Sequence, residues 1–207
     1  MKPAFITFEG IDGCGKTTVM ASVAKRLAKA GCKVAVTREP TETWLGDAVR
    51  RSYKERVSPY TEAYLFLADR ATHTDWIRKQ LSNGRSVVSD RYSDSTVAYQ
   101  AAFLHQRLGG EPPGYMDWLE RISEPAILEP DITFLLDVDP RVSLKRLKGR
   151  PEKEKFETLR NLRQVRSNYL AIAQGNPRVL VIDASGSLQE VESAVVSALS
   201  KFLGVKL

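Results

Sequence analysis

The sequence predicts an α/β fold, a five-stranded parallel sheet with helices on both faces. Three observations predict it. Five short apolar runs recur along the 207 residues, each of strand length rather than helix length. Patterns of helical spacing separate them, and strands that alternate with helices pair in parallel through crossovers. The first run ends at a glycine-rich turn that opens directly into a helix. One domain over residues 1–207 is the expectation at this length.

Residues 4–9 (AFITFE) form the first apolar run and end at Gly10. From 16 to 30, Val19, Met20, Val23, Leu27 and Ala28 recur at helical spacing, and Gly31 stops the helix. Residues 33–36 form the second strand, followed by Thr37-Arg38-Glu39-Pro40. Helical patterns cover 44–54 and 60–81, with Asn83-Gly84 as the break. The third strand, 86–89, runs into Asp90-Arg91-Tyr92. A helix over 95–108 precedes a loop at 109–114 (GGEPPG). The fourth strand is 132–138, and proline at position 140 suits the first turn of the next helix, 140–148. Residues 148–155, charged and containing Gly149 and Pro151, read as an exposed loop. A helix over 156–174, a fifth strand over Val179–Asp183 and a helix over Leu188–Leu203 complete the chain.

Hydrophobic residues at 43% and charged residues at 27% are ordinary for a soluble protein. No apolar run approaches the roughly 20 residues of a membrane span, and residues 1–7 are too short for a signal peptide. No membrane association and a cytoplasmic location are therefore expected. Two cysteines, Cys14 and Cys32, make neither a disulfide framework nor a metal cluster. The net charge of +6 suits a nucleic acid or a small polyanionic substrate about equally. Its local density lies at 145–155 and 160–166, and the first of these clusters sits where a phosphate-binding lid would sit.

Gly10, Gly15, Lys16 and Thr17 fit the pattern G-x4-G-K-[ST]. The glycines let backbone N–H groups converge on phosphate oxygens at the positive end of the following helix. Lys16 can reach the β- and γ-phosphates, and the Thr17 hydroxyl suits Mg²⁺. Residues 10–18 (Gly10, Ile11, Asp12, Gly13, Cys14, Gly15, Lys16, Thr17 and Thr18) are thus an expected ATP-binding segment. The chain has no Asn-Lys-x-Asp segment of a GTP-binding switch, and no apolar strand ends in two acidic residues. The third strand ends instead in Asp90-Arg91, at the carboxyl edge where ligands bind in such sheets.

Taken together, residues 8–18 (FEGIDGCGKTT), 37–40 (TREP), 65–70 (LFLADR), 90–100 (DRYSDSTVAYQ), Phe156-Glu157 and 165–169 (VRSNY) resemble thymidylate kinase. The resemblance covers nearly the whole chain, and the segment 90–100 is its most discriminating part. It implies a P-loop nucleoside-monophosphate-kinase fold with a short lid, about 148–156. It also implies ATP-dependent phosphorylation of dTMP to dTDP with Mg²⁺, and a homodimer that uses no nucleic acid. For dTMP it implies Asp12 at the sugar 3′-hydroxyl, Glu39 in the acceptor site, and Phe66 and Arg70 stacking on and hydrogen-bonding the base. Thr96 and Gln100 would line the base pocket, and Tyr99 would wall off the 2′ position. Asp90 would hold Mg²⁺ with Thr17, and Arg91 would clamp the phosphates. Arg50 is either a further phosphate ligand or an exposed helix arginine.

Some members carry an arginine in the phosphate loop where this chain has Gly13. The catalytic charge is then expected from the lid, with Lys148, Arg150 and Lys153 as candidates. Arg150 is assigned to the transferring phosphate and Arg146 to the adenine face. A kinase for another pyrimidine nucleotide or deoxynucleoside stays open, as does a non-enzymatic nucleotide-binding protein.

Overall fold

A computed structural model describes residues 2–148 and 158–207. The lid residues Arg150 and Lys153, and Phe156-Glu157, lie outside the described residues. The strands are β1 (Phe5–Glu9), β2 (Val34–Arg38), β3 (Ser86–Asp90), β4 (Ile132–Asp137) and β5 (Val179–Asp183). They form one parallel sheet in the order β2-β3-β1-β4-β5. The helices are α1 (Lys16–Lys29), α2 (Trp44–Ser52), α3 (Pro59–Ser82), α4 (Ser93–Leu108), α5 (Pro112–Ser123), α6 (Pro140–Leu147), α7 (Leu159–Ala173) and α8 (Leu188–Leu203).

Alternation along the strands sends successive side chains to opposite faces, and each face is buried by different helices. Phe5, Ala35 and Val87 join Ile77 of α3 and Tyr92 in one cluster. The alternate positions Ile6, Phe8, Val88 and Phe134 join Val19, Val23 and Leu27 of α1 and Val191, Val195 and Leu199 of α8 in another. The sheet is therefore covered on both sides, as the near-continuous burial of β1 and β4 requires.

Register brings the functional ends together. Phe8 pairs with Asp90, and Arg38 pairs with Asp90 from the other side. The carboxyl ends of β1, β2 and β3 therefore finish level, and the segments after them converge at one edge of the sheet.

One expectation needs correction. The loop at 109–114 gives way to helix α5 from Pro112. Proline is tolerated at the first turn because its missing N–H has no helical partner there. Met116 and Leu119 are buried, with Tyr115, Trp118 and Ile122 packed beside them. That spacing is amphipathic, and the adjoining glycines and prolines hid it.

Candidate active site

A cavity of about 430 Å³ opens at the carboxyl edge of β1, β2 and β3. Gly13, Gly15, Lys16, Thr17 and Thr18 form one side of it. Glu39, Arg50 and Phe66 form another, and Asp90, Arg91, Tyr99 and Gln100 close it. Asp12 joins the two sides. Gly10, Ile11 and Cys14 shape the loop from beneath, Ile11 and Cys14 as buried side chains. Arg70 and Thr96 are buried rather than lining. Arg146 is not among the lining residues; its guanidinium donates to the carbonyls of Ala184, Ser185 and Gly186 at 3.1, 3.5 and 3.4 Å.

The phosphate loop needs its glycines. Gly10 has φ +137°, and a Cβ there would lie 2.5 Å from the Leu136 carbonyl oxygen. Gly13 has φ +79°, and its Cβ would meet the Ser143 backbone oxygen at 2.9 Å and Leu147 Cγ at 3.0 Å. α6 therefore packs flush against the loop, and the Ser143 hydroxyl donates to the Asp12 carbonyl. A side chain at position 13 would have to displace α6 here. Lys16 Nζ donates to the Gly10 and Ile11 carbonyls at 3.0 and 3.1 Å, which holds the ammonium within the loop.

Thr17 Oγ1 donates to Asp90 Oδ2 at 2.6 Å, so a hydroxyl on α1 touches a carboxylate at the end of β3. Hard divalent cations take oxygen ligands of this kind and complete their shell with phosphate oxygens and water. Among the described residues no group of three or more His, Cys, Asp or Glu could hold a metal ion. The Thr17–Asp90 pair offers two oxygen ligands of the kind Mg²⁺ takes.

Arg91 is the centre of the charge network. Its φ is +71°, the only non-glycine positive φ among the described residues. The conformation is held by its N–H on the Phe8 carbonyl at 3.0 Å and by the Ser89 hydroxyl on its own carbonyl at 2.7 Å. Strain of this kind persists where the surroundings over-determine it. The guanidinium pairs with Asp12 and lies 4.8 Å over the Tyr99 ring. Tyr99 in turn donates to Asp12 Oδ2 at 2.8 Å. Burial pushes the Asp12 carboxyl up, but Arg91 and Lys16 outweigh it and hold the group below its usual value. Burial also opposes the Arg91 charge, and Tyr99, Asp12, Tyr169 and Asp90 more than offset that, so Arg91 stays protonated.

The residues assigned to the base are mostly buried polar groups. Arg70 is 1% exposed and pairs with Glu39, which also accepts from His73 Nδ1 at 2.8 Å. Burial raises the Glu39 pKa, but Arg70 and His73 hold it below the ordinary value. Arg70 Nε and Nη1, Thr96 Oγ1 and Gln100 Oε1 are buried with no hydrogen-bond partner. Buried polar groups are rarely left so, and these include donors and acceptors for the edge of a heterocycle. Phe66, one turn before Arg70 on α3, lies at 6.3 Å from the Tyr53 ring.

Sequence reasoning missed Glu9, Ser95, Tyr169 and His73. Glu9 is buried, and burial followed by the charge of Asp94 raises its pKa from 4.5 to about 7. Ser95, Arg91 and Tyr169 pull it only part of the way back. The available signal was an acid closing an apolar strand. The raised value makes a prediction. As pH rises from about 4.5 to about 7 the unfolded chain loses this proton first, so stability falls. The contribution is on the order of 3 kcal/mol across that window. Urea midpoints measured from pH 4.5 to 8 should decline in the wild type and flatten in Glu9→Gln. Asp12 and Glu39, both shifted down, act oppositely and only below that window.

Comparison with known proteins gives one family. The family model described as thymidylate kinase matches residues 8–195. A probable thymidylate kinase of Methanoculleus marisnigri is 45% identical over 188 residues, 90% of this chain and 89% of that protein. Proteins of the same description from Methanosarcina barkeri and Methanococcoides burtonii are 41% and 40% identical. Those alignments cover 98% of this chain each, and 98% and 99% of the relatives.

Proposed function

We propose, from the premise that the chain belongs to the thymidylate kinase family, that it transfers the γ-phosphoryl group of ATP to the 5′-phosphate of dTMP. The observation that carries this reading is the pairing of two half-sites in one cavity. Lys16, Thr17 and Asp90 suit a nucleotide triphosphate, and the Phe66 ring and the unpartnered Gln100 Oε1 suit a pyrimidine beyond Arg91.

The acceptor phosphate is already an anion, so no general base is needed. What remains is to position two phosphates in line and to neutralise their charge. Lys16 and the loop N–H groups hold the donor. Arg91, whose planar guanidinium suits phosphate oxygens, stands between donor and acceptor. Asp12 and the Tyr99 ring bound the sugar. Arg50 donates to the Pro40 and Thr41 carbonyls at 3.2 and 2.7 Å, which tethers it near the acceptor phosphate. Thr17 and Asp90 would hold Mg²⁺, which would supply positive charge at the donor phosphates. Arg150 from the lid supplies the charge that Gly13 leaves out, and Arg146 faces the adenine. Residues 1–207 act as one kinase domain with a lid at about 148–156. The enzyme works in the cytoplasm as a homodimer; among the described residues no helix is long and apolar enough to cross a membrane.

A panel of acceptors tests the reading. With ATP and Mg²⁺, kcat/KM for dTMP should exceed that for dUMP, dCMP and thymidine by about tenfold or more, since each lacks a contact the site offers. EDTA should abolish turnover. Faster turnover of any other acceptor would overturn the assignment.

A further inference from the structure

The Arg91 guanidinium has two sides. Nη2 meets Asp12 and the Tyr99 hydroxyl, the latter at 3.2 Å. Nη1 donates to the Ser95 hydroxyl at 3.1 Å, to Tyr169 at 3.4 Å and to the Gly10 carbonyl at 3.4 Å. Behind those two hydroxyls lies Glu9, 1% exposed. Its Oε1 accepts the Tyr92 N–H at 2.8 Å. Its Oε2 accepts from Ser95 at 2.5 Å and from Tyr169 at 3.0 Å. Ser95 and Tyr169 are themselves 2.7 Å apart.

Each hydroxyl has one proton to give. An ionised carboxylate only accepts, so it draws both protons into the Glu9–Ser95–Tyr169 cluster, whichever way the Ser95–Tyr169 bond runs. The oxygen lone pairs are then left facing Nη1 of Arg91. A carboxylate this deeply buried is costly. Glu9 is not among the residues that line the cavity. What it does reach, through two hydroxyls from α4 and α7, is the orientation of Arg91.

We infer that Glu9 is a positioning residue for phosphoryl transfer: through the Ser95 and Tyr169 hydroxyls it fixes the rotation of the Arg91 guanidinium. The inference rests on the kinase reading above. Glutamine at position 9 presents an N–H₂ group where the hydroxyls need an acceptor, so a hydroxyl turns and its proton faces Arg91. Misorientation of that group affects the transition state more than nucleotide binding.

The test is a double-mutant comparison at pH 8, with Glu9 ionised. Glu9→Gln should lower kcat with dTMP at least tenfold while KM for ATP stays within twofold. In an Arg91→Ala background the same substitution should change the residual rate less than twofold. Tyr169→Phe, which removes one of the two linking hydroxyls, should show the same dependence on Arg91 and carries the test if Glu9→Gln does not fold. Equal fold-losses in both backgrounds would mean a general structural role and overturn the inference, as would near-normal kcat in Glu9→Gln. Wild-type protein that does not phosphorylate dTMP at all sinks the kinase reading itself, a result separable from these.

Discussion

Arg91→Ala should lower kcat by about 10³-fold while leaving ATP affinity within a few-fold of wild type. The size follows from what an arginine contributes to a phosphoryl transition state, on the order of 10³–10⁵ in rate. Arg91 is already seated by Asp12, Ser95 and Tyr99 before any substrate arrives, so little reorganisation is left for the reaction. Arg91 touches the loop at the Gly10 carbonyl and the Asp12 carboxylate, whereas ATP binding is expected to rest mainly on Lys16, Thr17 and the loop N–H groups. A companion substitution separates catalysis from stability. Position 91 sits at φ +71°, where a Cβ costs roughly 1–2 kcal/mol relative to glycine. Arg91→Gly should therefore be as inactive as Arg91→Ala yet more stable than it by about 1 kcal/mol. Steady-state rates, binding of a fluorescent ATP analogue and thermal melts read all three quantities. Alanine turnover within tenfold of wild type would remove Arg91 from the chemistry.

Gly13→Ala should be strongly damaging to the phosphate loop. Its backbone lies in the left-handed region at φ +79°, and the new Cβ would press on the Ser143 carbonyl at 2.9 Å. Left-handed strain and overpacking together suggest a loss of about 2–4 kcal/mol. The opposing atom is helix backbone, which cannot swing aside as a side-chain tip can. Relief requires α6 to retreat from the loop, which also breaks the Ser143 bond to the Asp12 carbonyl. ATP affinity and kcat should both fall. Gly15 is a useful contrast: its φ is +101°, but nothing lies within 4 Å of a Cβ there. Gly15→Ala should cost only the backbone term, about 1–2 kcal/mol. Denaturant midpoints of the two variants measure the difference, and equal midpoints would show that α6 yields freely.

These two residues also mark how far the sequence could be read. Position 13 was visible as a departure from other members of the family, with the inference that charge must come from the lid. The steric contact at this position was invisible, because α6 approaches the loop from 130 residues further along the chain. Arg91 was assigned as a phosphate clamp through the resemblance. Its partner was not legible: Asp12 lies 79 residues away. Glu9 read as the end of a strand, and only the fold shows that α4 and α7 close over it. Arg70 was expected at the base through the resemblance, but its burial against Glu39 from the loop after β2 was not legible.

By itself the sequence determined what is local. Alternating and 3.6-residue periodicities placed the five strands and most helices, failing only where the prolines and glycines beside α5 obscured its apolar stripe. The spacing of Gly10, Gly15, Lys16 and Thr17 set a phosphate-binding turn, since that turn is made from consecutive backbone groups. Tertiary structure alone decided the strand order β2-β3-β1-β4-β5 and, with it, which charges meet. Side-chain partners across a sheet depend on which strand ends are brought level, and parallel strands are joined by long crossovers. Residues that are neighbours at the carboxyl edge are therefore far apart in the chain, where no periodicity connects them.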